Sequence, residues 1–564
     1  MGTGSTVSRD AERPRGVDQA FRWAAAFVLL LTIGLRLYDL DLKPFHHDEG
    51  VNGFFLTNLF RQGAYHYDPS NYHGPSLYYA AFVSAFLFGL NDIAVRLVTV
   101  FFGCLVVTLC LATRRWLGDV GALAAAVFLA VSPGMVFYSR YFIHEILLIA
   151  ATLGMVVAVR AYAETGRFGD LLAGAAWAAW MFATKETATP TAIVLAVATV
   201  CSWVYHLLRH RDKRLTPSMA FTSLTPAERS GFALGAVSLF SLINLLLYSS
   251  FFTNRDGIVA AFKTLAFWGN TARTAHVHPW WQYLDWLWRS ETPLVVLGAL
   301  GLVLALWRAQ NRFVIFVGAW TVGVLAMYSL TPYKTPWLTI NIVLPLALLA
   351  GHAVDFATRH RLVWLGAVVA LAASMMTLRH PIVPSLVHNA FNVVLPLAAL
   401  AAAGYAVDIL MRRRLGWLAA VVALATSTMA LRQTIDLNFV HYDDDSRPYV
   451  YAHTRRAFLD LIAALDRAAK ASGQGESVRI AIPAREHWPL PWYLRNYHNT
   501  AFEDSAETSR GSVMVVAGLD QDARIGASLG PDFDRLGPFA MRPGVDLLLF
   551  VRKGSTGRPV AVPP

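Results

Sequence analysis

Charged side chains are scarce in this sequence of 564 residues: Asp, Glu, Lys and Arg together make up 15% of it, while hydrophobic residues make up 55%. A soluble chain of this length would form several domains with far more charge. Cysteine is also rare, and the three cysteines, Cys104, Cys110 and Cys201, all lie within apolar runs. This placement excludes a disulfide framework as the basis of the fold. The scarcity of charge favours a membrane protein.

Apolar runs of about 20 residues recur from Phe21 to about Arg432, and this is the length that a helix needs to cross a bilayer. The first run is not followed by the small-residue cleavage site of a secretory signal, so we interpret it as a retained span. The runs predict an α-helical polytopic membrane protein with about thirteen transmembrane helices. The predicted spans are residues 21–40, 95–113, 119–137, 142–161, 169–184, 188–208, 230–251, 292–308, 313–330, 337–356, 362–378, 389–410 and 415–431.

Basic loops give the expected orientation. The net charge is +11, and the Lys and Arg residues lie mainly in short loops between the predicted spans. The run Ser76–Leu90 is short for a span; if it lies at the interface, the basic loops share one side with the basic N-terminal tail, residues 1–20, as the positive-inside rule requires. We therefore predict an inner-membrane protein with a cytoplasmic N-terminus, and we interpret the charge as an orientation signal rather than as a nucleic-acid-binding surface.

This topology divides the rest of the chain into two parts. The predicted transmembrane domain is residues 21–432, and it includes a first external loop, 41–94, and a long external loop, 252–291. Residues 433–564 are more polar and combine an amphipathic helical pattern with short β-type runs. That combination predicts a small external α/β domain at the C-terminus.

The unusual polar motifs collect on the predicted external face. They are HHDE at 46–49, YSRYFIHE at 138–145, ATKETA at 183–188 and TPYKTPW at 331–337. A transporter usually places ionisable groups near the middle of the bilayer within related repeats, whereas here the sequence shows no internal repeat and the groups lie at the ends of spans. An external pocket of this kind suits an enzyme that acts on a lipid-linked group.

These motifs resemble the GT-C superfamily of integral membrane glycosyltransferases. The acidic pair Asp48-Glu49 after the first span, the segment SPGMVFYSRYFIHE and the segment ATKETA resemble stretches of the protein O-mannosyltransferase and lipid A aminoarabinose transferase families. The segments YKTPWL, YVYAHTRR and WPLPWYLRNY also resemble a subfamily of archaeal and bacterial membrane proteins, whose archaeal members are named for an association with flippase activity. The resemblance implies a GT-C-type helical bundle.

The resemblance also implies a reaction. A sugar would move from a polyprenyl-phosphate-linked donor to an acceptor, a glycan, a lipid or a protein, at the external face of the cytoplasmic membrane. Two alternatives from other classes stay open: a lipid-linked oligosaccharide flippase or transport accessory without its own chemistry, and a structural scaffold for cell-envelope assembly.

Acids have two possible tasks in such a reaction, because a carboxylate can accept the proton of the acceptor or organise a cation. By resemblance Asp48 is the leading catalytic acid, with Glu49 beside it and Glu145 as a second acid. Asp48 could instead be a solvated acid or the cap of the following helix. A divalent cation, Mg²⁺, Mn²⁺ or Zn²⁺, could be held by His47, Asp48 and Glu145, or no cofactor is needed.

Cations and polar groups complete the predicted site, because a phosphate leaving group needs positive charge. We expect three residues to bind the donor phosphate: Arg140, Lys185 and Lys334. Arg140 could instead form a structural pair with Glu145, and Lys185 a tight-turn pair with Glu186. We expect a further group to line the substrate pocket: His46, Tyr138, His144, Glu186, Tyr333 and Trp337. We expect Arg140 and His144, four residues apart on a helix at the head of a span, to share a face.

Two external segments add further hypotheses. His276 and His278, in the long loop, could be extra ligands, although ordinary interfacial histidines are favoured. In the C-terminal domain Glu486, His487 and Trp488 open the segment EHWPLPWYLR, and one hypothesis is that they face the pocket.

Overall fold

The protein was analysed as a computed structural model that describes residues 15–71, 73–209, 224–274, 276–308, 311–360 and 427–554. Helices dominate the part that precedes the C-terminal domain. In chain order they are α1 Arg15–Leu37, α2 His47–Gln62, α3 Ser76–Phe88, α4 Asp92–Ala112, α5 Arg114–Val131, α6 Pro133–Ser139, α7 Glu145–Thr165, α8 Phe168–Phe182, α9 Ala188–Arg209, α10 Pro226–Tyr248, α11 Asp256–Thr274, α12 Gln282–Ser290, α13 Thr292–Arg308, α14 Arg312–Leu330 and α15 Ile340–His360.

The predicted spans from 21–40 to 337–356 each fall on one of these helices, except that 119–137 is divided between α5 and α6. Seven of the described helices are long and apolar enough to cross a membrane, or up to nine if each of two bent pairs counts as one span. The predicted spans 362–378 and 389–410, and most of 415–431, lie outside the described residues. The multi-span helical class is confirmed, and the total of about thirteen spans stays a prediction.

The predicted first external loop is largely helical. Helix α3 has 13 residues, fewer than a helix needs to cross the hydrocarbon core, which agrees with an interfacial position for this run. Helix α2 precedes it and begins at His47, so the acidic pair lies at a helix N-terminus rather than in an irregular loop.

Two breaks interrupt the helices of the bundle. Helices α5 and α6 meet at an angle of 60°, and helices α12 and α13 at 114°. The buried carboxylate of Glu291, between α12 and α13, accepts hydrogen bonds from the Ser132 hydroxyl and the Gly134 backbone N–H, each at 2.8 Å. The side chain of Glu291 therefore connects the two breaks. It fixes the position of α6 and so the position of the loop that follows α6.

The C-terminal domain combines a five-stranded sheet with helices α16 Phe458–Ala471, α17 Leu490–Tyr493, α18 Ala506–Gly511 and α19 Asp522–Leu529. The strands are β1 Ile480–Ala481, β2 Thr500–Ala501, β3 Met514–Gly518, β4 Phe533–Arg542 and β5 Val545–Arg552. Their order is β2-β1-β3-β5-β4; β2, β1 and β3 are parallel, whereas β5 is antiparallel to both β3 and β4. Helix α16 packs on one face of the sheet, where Leu461 and Leu465 are buried. Helix α19 packs on the other face, where Ile525 is buried. The predicted α/β character of this region is confirmed.

Candidate active site

The acidic pair lies in the first turn of α2. His46 caps this helix: its Nδ1 accepts a hydrogen bond from the backbone N–H of Asp48 at 3.1 Å, while the Glu49 carboxylate accepts one from the backbone N–H of His46 at 3.0 Å. This reciprocal arrangement is a capping box. The alternative in which Asp48 caps the helix is therefore wrong, because His46 takes that position.

Glu49 is buried and its oxygens are occupied. The Arg96 guanidinium donates two hydrogen bonds to its carboxylate, both at 2.8 Å, and the backbone N–H of Phe142 donates a third, also at 2.8 Å. Neither side chain of the Arg96–Glu49 pair has any exposed surface. Glu49 thus joins α2, α4 and the loop between α6 and α7, and its geometry supports a positioning part rather than contact with a substrate.

Asp48 has the opposite environment. Its side chain is 37% exposed, and its nearest ionisable partner is His46, with 4.0 Å between the carboxylate and Nδ1. His46 Nε2 lies 3.1 Å from the carbonyl oxygen of Tyr451, so the ring accepts with Nδ1 and donates with Nε2. Burial, together with the charge of Asp48, raises the pKa of Tyr451. Asp48 is therefore the member of the pair that can meet a substrate.

Aromatic rings lie near the exposed side of Asp48, which we call the recess. The ring centroids of His46 and Trp337 are 6.5 Å apart, those of Trp337 and Tyr451 6.3 Å, those of Tyr451 and His276 5.9 Å, and those of His276 and Tyr333 5.4 Å. We call these five residues the aromatic rim. They come from four separate parts of the chain, and His276 Nδ1 lies 3.0 Å from the Tyr451 hydroxyl. The rim thus includes the predicted pocket residues His46, Tyr333 and Trp337.

Lys334 joins the rim through its backbone. Its N–H donates to the carbonyl oxygen of His276 at 3.0 Å, and its Nζ donates to the carbonyl oxygen of Thr331 at 2.5 Å. Burial lowers the pKa of Lys334. The described partner of its Nζ is a neutral carbonyl, so this cation is not neutralised by a carboxylate there.

A second group of charges lies deeper. Lys185 Nζ donates to the Glu145 carboxylate, and both side chains are buried. Glu186 Oε2 lies 3.1 Å from His73 Nδ1. Burial opposes the charge on Lys185, but Glu145 and Glu186 outweigh it and raise the pKa of Lys185. We call Glu145, Lys185, Glu186 and His73 the ion cluster; the expected pairing of Lys185 with Glu186 in one turn is replaced by pairing with Glu145 on another helix.

Arg140 and His144 do not share a helix face. Helix α6 ends at Ser139 and α7 begins at Glu145, so both residues lie in the break. The Arg140 guanidinium donates to backbone carbonyls at the end of α1, including those of Arg36 at 3.2 Å and Asp39 at 2.7 Å. Arg140 therefore holds the C-terminus of α1, and no ion pair with Glu145 is found among the described residues. The phosphate contact of Arg140 stays a prediction.

His144 belongs beside the ion cluster. Its Nε2 lies 3.1 Å from the carbonyl oxygen of Gly74, and its ring centroid is 4.8 Å from that of His73. Burial, with smaller contributions from His73 and Lys185, lowers the pKa of His144 well below its usual value. The ring is thus a neutral donor in this part of the site.

Tyr138 and Tyr141 lie between the rim and the ion cluster. Both are buried, and neither hydroxyl has a hydrogen-bond partner among the residues that the structure describes. Burial, with Asp48 and Glu49 and more weakly Glu145, raises the pKa of Tyr141 well above its ordinary value. Since buried hydroxyls normally find partners, these two are candidates for contacts with a bound substrate.

The predicted metal ligands are not brought together. His47 faces the C-terminal domain, where its Nδ1 lies 3.3 Å from Arg542 Nη1, whereas Glu145 is paired with Lys185. Within the described ranges there is no group of three or more His, Cys, Asp or Glu side chains that could hold a metal ion. The expected set of His47, Asp48 and Glu145 is therefore wrong as a single site.

Sequence reasoning missed the clamp that the C-terminal domain places on α2. The indole of Trp492 stacks on Phe45, with 4.7 Å between ring centroids, and its Nε1 donates to Asp92 at 2.8 Å. A Cβ at Gly53 would lie 2.5 Å from this indole, so the glycine permits the close approach. The Tyr493 hydroxyl accepts from the backbone N–H of Phe45 at 2.9 Å. The tryptophan-rich segment WPLPWYLR was the sequence signal.

Known proteins match parts of this chain at the level of sequence. The model of the family described as dolichyl-phosphate-mannose-protein mannosyltransferase matches residues 72–227. The undecaprenyl phosphate-alpha-4-amino-4-deoxy-L-arabinose arabinosyl transferase of Pseudomonas aeruginosa strain LESB58 is 36% identical over 142 residues, which are 23% of this chain and 26% of that protein. An enzyme of the same description from Pseudomonas fluorescens is 36% identical over 106 residues, or 18% and 19% of the two chains. The sequence matches thus span about a quarter or less of these relatives.

The match in three dimensions extends over the whole chain. The crystal structure of ArnT from Cupriavidus metallidurans bound to undecaprenyl phosphate aligns with 98% of this chain and 100% of its own, with a TM-score of 0.61 and 17% identity. The same protein in the apo state aligns with 95% and 98% of the two chains, with a TM-score of 0.57. The chain has a GT-C fold. The identity is too low to carry more than the fold.

Sequence similarity is unevenly distributed over the candidate site. The family match at 72–227 includes Glu145 and Lys185, but it ends before Lys334 and begins after Asp48. The ion cluster therefore lies in the most similar region, while the rim and the leading acid lie outside it.

Proposed function

We propose that this GT-C protein is a glycosyltransferase that moves a sugar from a polyprenyl-phosphate-linked donor to an acceptor at the external face of the cytoplasmic membrane. The observation that carries the proposal is the pair of groups at the aromatic rim. Asp48 is partly exposed beside His46, and Lys334, whose Nζ has no carboxylate partner among the described residues, is bonded through its backbone N–H to His276 of the same rim. The fold of an ArnT solved with undecaprenyl phosphate and the partial similarity to arabinosyl transferases support it.

Asp48 acts as the general base in this proposal. It accepts the proton of the acceptor hydroxyl while that oxygen attacks the anomeric carbon of the donor sugar. The bond from the anomeric carbon to the phosphate oxygen breaks, and the electron pair leaves with the lipid phosphate. A single displacement of this kind inverts the configuration at the anomeric carbon.

Positive charge stabilises the departing phosphate, and Lys334 is the best supported source of it. Its Nζ is engaged by a backbone carbonyl, which a phosphate can replace without leaving a buried carboxylate unpaired. Lys185 would have to share its ammonium group with Glu145, and Arg140 is occupied by the carbonyls of α1. We therefore assign the first phosphate contact to Lys334 and a supporting field to Lys185.

A divalent cation has no assigned step in this mechanism. Of the residues predicted to bind it, only Asp48 is open to the recess, and the nearest described nitrogen ligand is His46 Nδ1 at 4.0 Å from its carboxylate. That nitrogen already accepts the capping hydrogen bond. The donor set therefore does not fit a cation, and Asp48 is proposed as a base rather than a ligand.

The orientation belongs to the proposal as well. The basic loops support a cytoplasmic N-terminus, which puts α2, the aromatic rim and the C-terminal domain on the external side of the inner membrane. A lipid-linked donor could then present its sugar to the recess from the outer leaflet.

The experiment is a transfer assay with purified protein in liposomes and a panel of labelled polyprenyl-phosphate monosugars, each combined with extracted envelope glycans, lipids and proteins. We expect label to move from one donor to an acceptor, with Asp48→Asn as the inactive control. Movement of the intact donor across the bilayer without transfer would instead favour the transport alternative. Absence of transfer from every donor, with the protein folded, contradicts the proposal.

A further inference from the structure

The parallel strands of the C-terminal domain bring two aromatic residues together. His487 follows β1, and Phe502 directly follows β2, the parallel neighbour of β1. Both residues therefore lie at the carboxyl edge of the strands, where open α/β sheets bind their ligands. Their ring centroids are 5.2 Å apart, so this edge carries an aromatic surface rather than a loop of small polar residues.

This surface continues to the recess. The ring of His487 lies 5.6 Å from that of Trp488, and the ring of Trp488 lies 6.1 Å from that of His47. His47 is the chain neighbour of Asp48. We call His47, Trp488, His487 and Phe502 the aromatic track; it leads from the leading acid outwards over the C-terminal domain, away from the rim.

The track is not part of the cores of the C-terminal domain, although Trp488 packs against α2. Its three C-terminal rings lie outside the hydrophobic cores that the described strands and helices form, and Phe502 is 39% exposed. Phe54, on α2, flanks Trp488 at 6.0 Å and is exposed as well. His47, His487 and Trp488 are partly exposed. A connected set of exposed and partly exposed aromatic side chains is typical of a binding surface.

Charged groups accompany the rings. The Arg542 guanidinium contacts the Glu486 carboxylate, and its Nη1 lies 3.4 Å from the carbonyl oxygen of Trp488 and 3.3 Å from His47 Nδ1. A sugar ring has an apolar face that packs on an aromatic ring and hydroxyl groups that bond to charged side chains. An acyl chain could pack on the rings, but it has no polar group that would bind Arg542 or Glu486.

We propose that the aromatic track binds the acceptor as an oligosaccharide, holding the sugar residues that precede the hydroxyl group attacked at Asp48. This proposal rests on the proposed function, because it takes Asp48 as the base and adds the chemical class of the acceptor. Its continuity with Asp48 supports a carbohydrate chain that runs from the reacting hydroxyl along the C-terminal domain, rather than a peptide or a lipid.

The test uses the full-length protein and a ladder of soluble oligosaccharides of increasing length, from one sugar residue upwards, released from envelope polysaccharide. Binding is measured by calorimetry without donor, and transfer is measured with the active donor. We expect Phe502→Ala and His487→Ala to weaken binding of the longer members, and to raise their KM, by about 10-fold each, which is the scale of one lost aromatic contact. The monosaccharide and kcat should change little.

Matched variants separate recognition from folding. Phe502→Tyr keeps a stacking ring and should behave like the wild type. Asp534 lies on β4, at the opposite edge of the sheet from β2. Asp534→Ala should therefore bind every member of the oligosaccharide ladder as the wild type does. Thermal unfolding identifies any variant that fails to fold.

The outcomes distinguish this inference from the proposed function. Equal affinity of wild type and Phe502→Ala along the whole ladder, with transfer intact, overturns the track and leaves the glycosyltransferase standing. The proposal for the track is also overturned if Phe502→Ala loses binding to a peptide or lipid acceptor but binds every member of the oligosaccharide ladder as the wild type does. Length-dependent binding that needs Phe502, in a protein that transfers no sugar, supports the track and contradicts the proposed reaction.

Discussion

A carboxylate has opposite surroundings at the aromatic rim and in the ion cluster. Asp48 at the rim is partly exposed and 4.0 Å from its nearest ionisable partner, whereas Glu145 in the ion cluster is buried against the ammonium group of Lys185. A carboxylate held by a buried cation cannot accept a proton without leaving that cation uncompensated, which is costly. The comparison teaches that exposure and pairing, rather than the type of residue, decide which acid is available for chemistry.

The same contrast exists between two neighbours in the chain. Asp48 and Glu49 are adjacent, yet only Glu49 meets Arg96. Successive residues on a helix point about 100° apart, so one faces the bundle while the other faces the recess. Glu49 fixes the position of the helix, and Asp48 is the base in the proposed mechanism.

The largest expected effect follows from this division. Asp48→Asn should lower kcat by about 10²-fold or more, the scale for losing a general base, while thermal unfolding stays close to that of the wild type. Asn is nearly isosteric, and the helix cap is supplied by His46. Transfer rate and unfolding temperature, measured on the same preparation, check both halves of the prediction.

Glu49→Gln is the matched control. It leaves the Arg96 guanidinium buried without a counter-charge and should cost about 3–5 kcal/mol of stability. Loss of activity would then accompany loss of folded protein. The two assignments would be reversed if Glu49→Gln were stable but inactive while Asp48→Asn stayed active. Glu49 would then be the base and Asp48 would not.

A smaller effect sharpens the account of the ion cluster. Glu145→Gln or Lys185→Met alone should destabilise the protein, because each leaves a buried charge unpaired, whereas the double variant should recover much of the loss. The exposed pair Asp285–Arg289 provides the control, since removing either partner there should cost at most about 0.5 kcal/mol. Unfolding in detergent measures the coupling.

Donor binding tells whether Lys185 also meets the phosphate. If it only pairs with Glu145, the stable double variant keeps the KM of the wild type for the donor. A raised KM at unchanged stability would show a phosphate contact as well. Additive stability effects of the two single changes would instead contradict the ion pair.

The sequence could predict the bundle because apolar runs of membrane length and basic loops are local patterns. It could also place Asp48, Lys185 and Lys334 at one end of the bundle, since each lies at the end of a span. It could not show that Glu49 binds Arg96 or that Lys185 binds Glu145, because these partners are 47 and 40 residues apart in the chain. The contacts of Trp492 and Tyr451 with residues 45–46 depend on tertiary packing in the same way.

The smallest expected effect concerns pH and His144. Burial, His73 and Lys185 hold the pKa of this histidine well below its usual value, so the folded protein keeps the ring neutral where the unfolded chain binds a proton. A depressed pKa of this kind gives stability that is fully present above about pH 6.5 and declines as the pH falls, by up to about 1.4 kcal/mol per pH unit. His144→Gln retains a side-chain donor for the carbonyl of Gly74 but cannot titrate. Unfolding measured between pH 7.5 and pH 5.5 should therefore show a steeper loss of stability for the wild type than for His144→Gln. Parallel curves for the two proteins would mean that this ring gains its proton equally in the folded and unfolded states, and would remove it as a neutral donor beside the ion cluster.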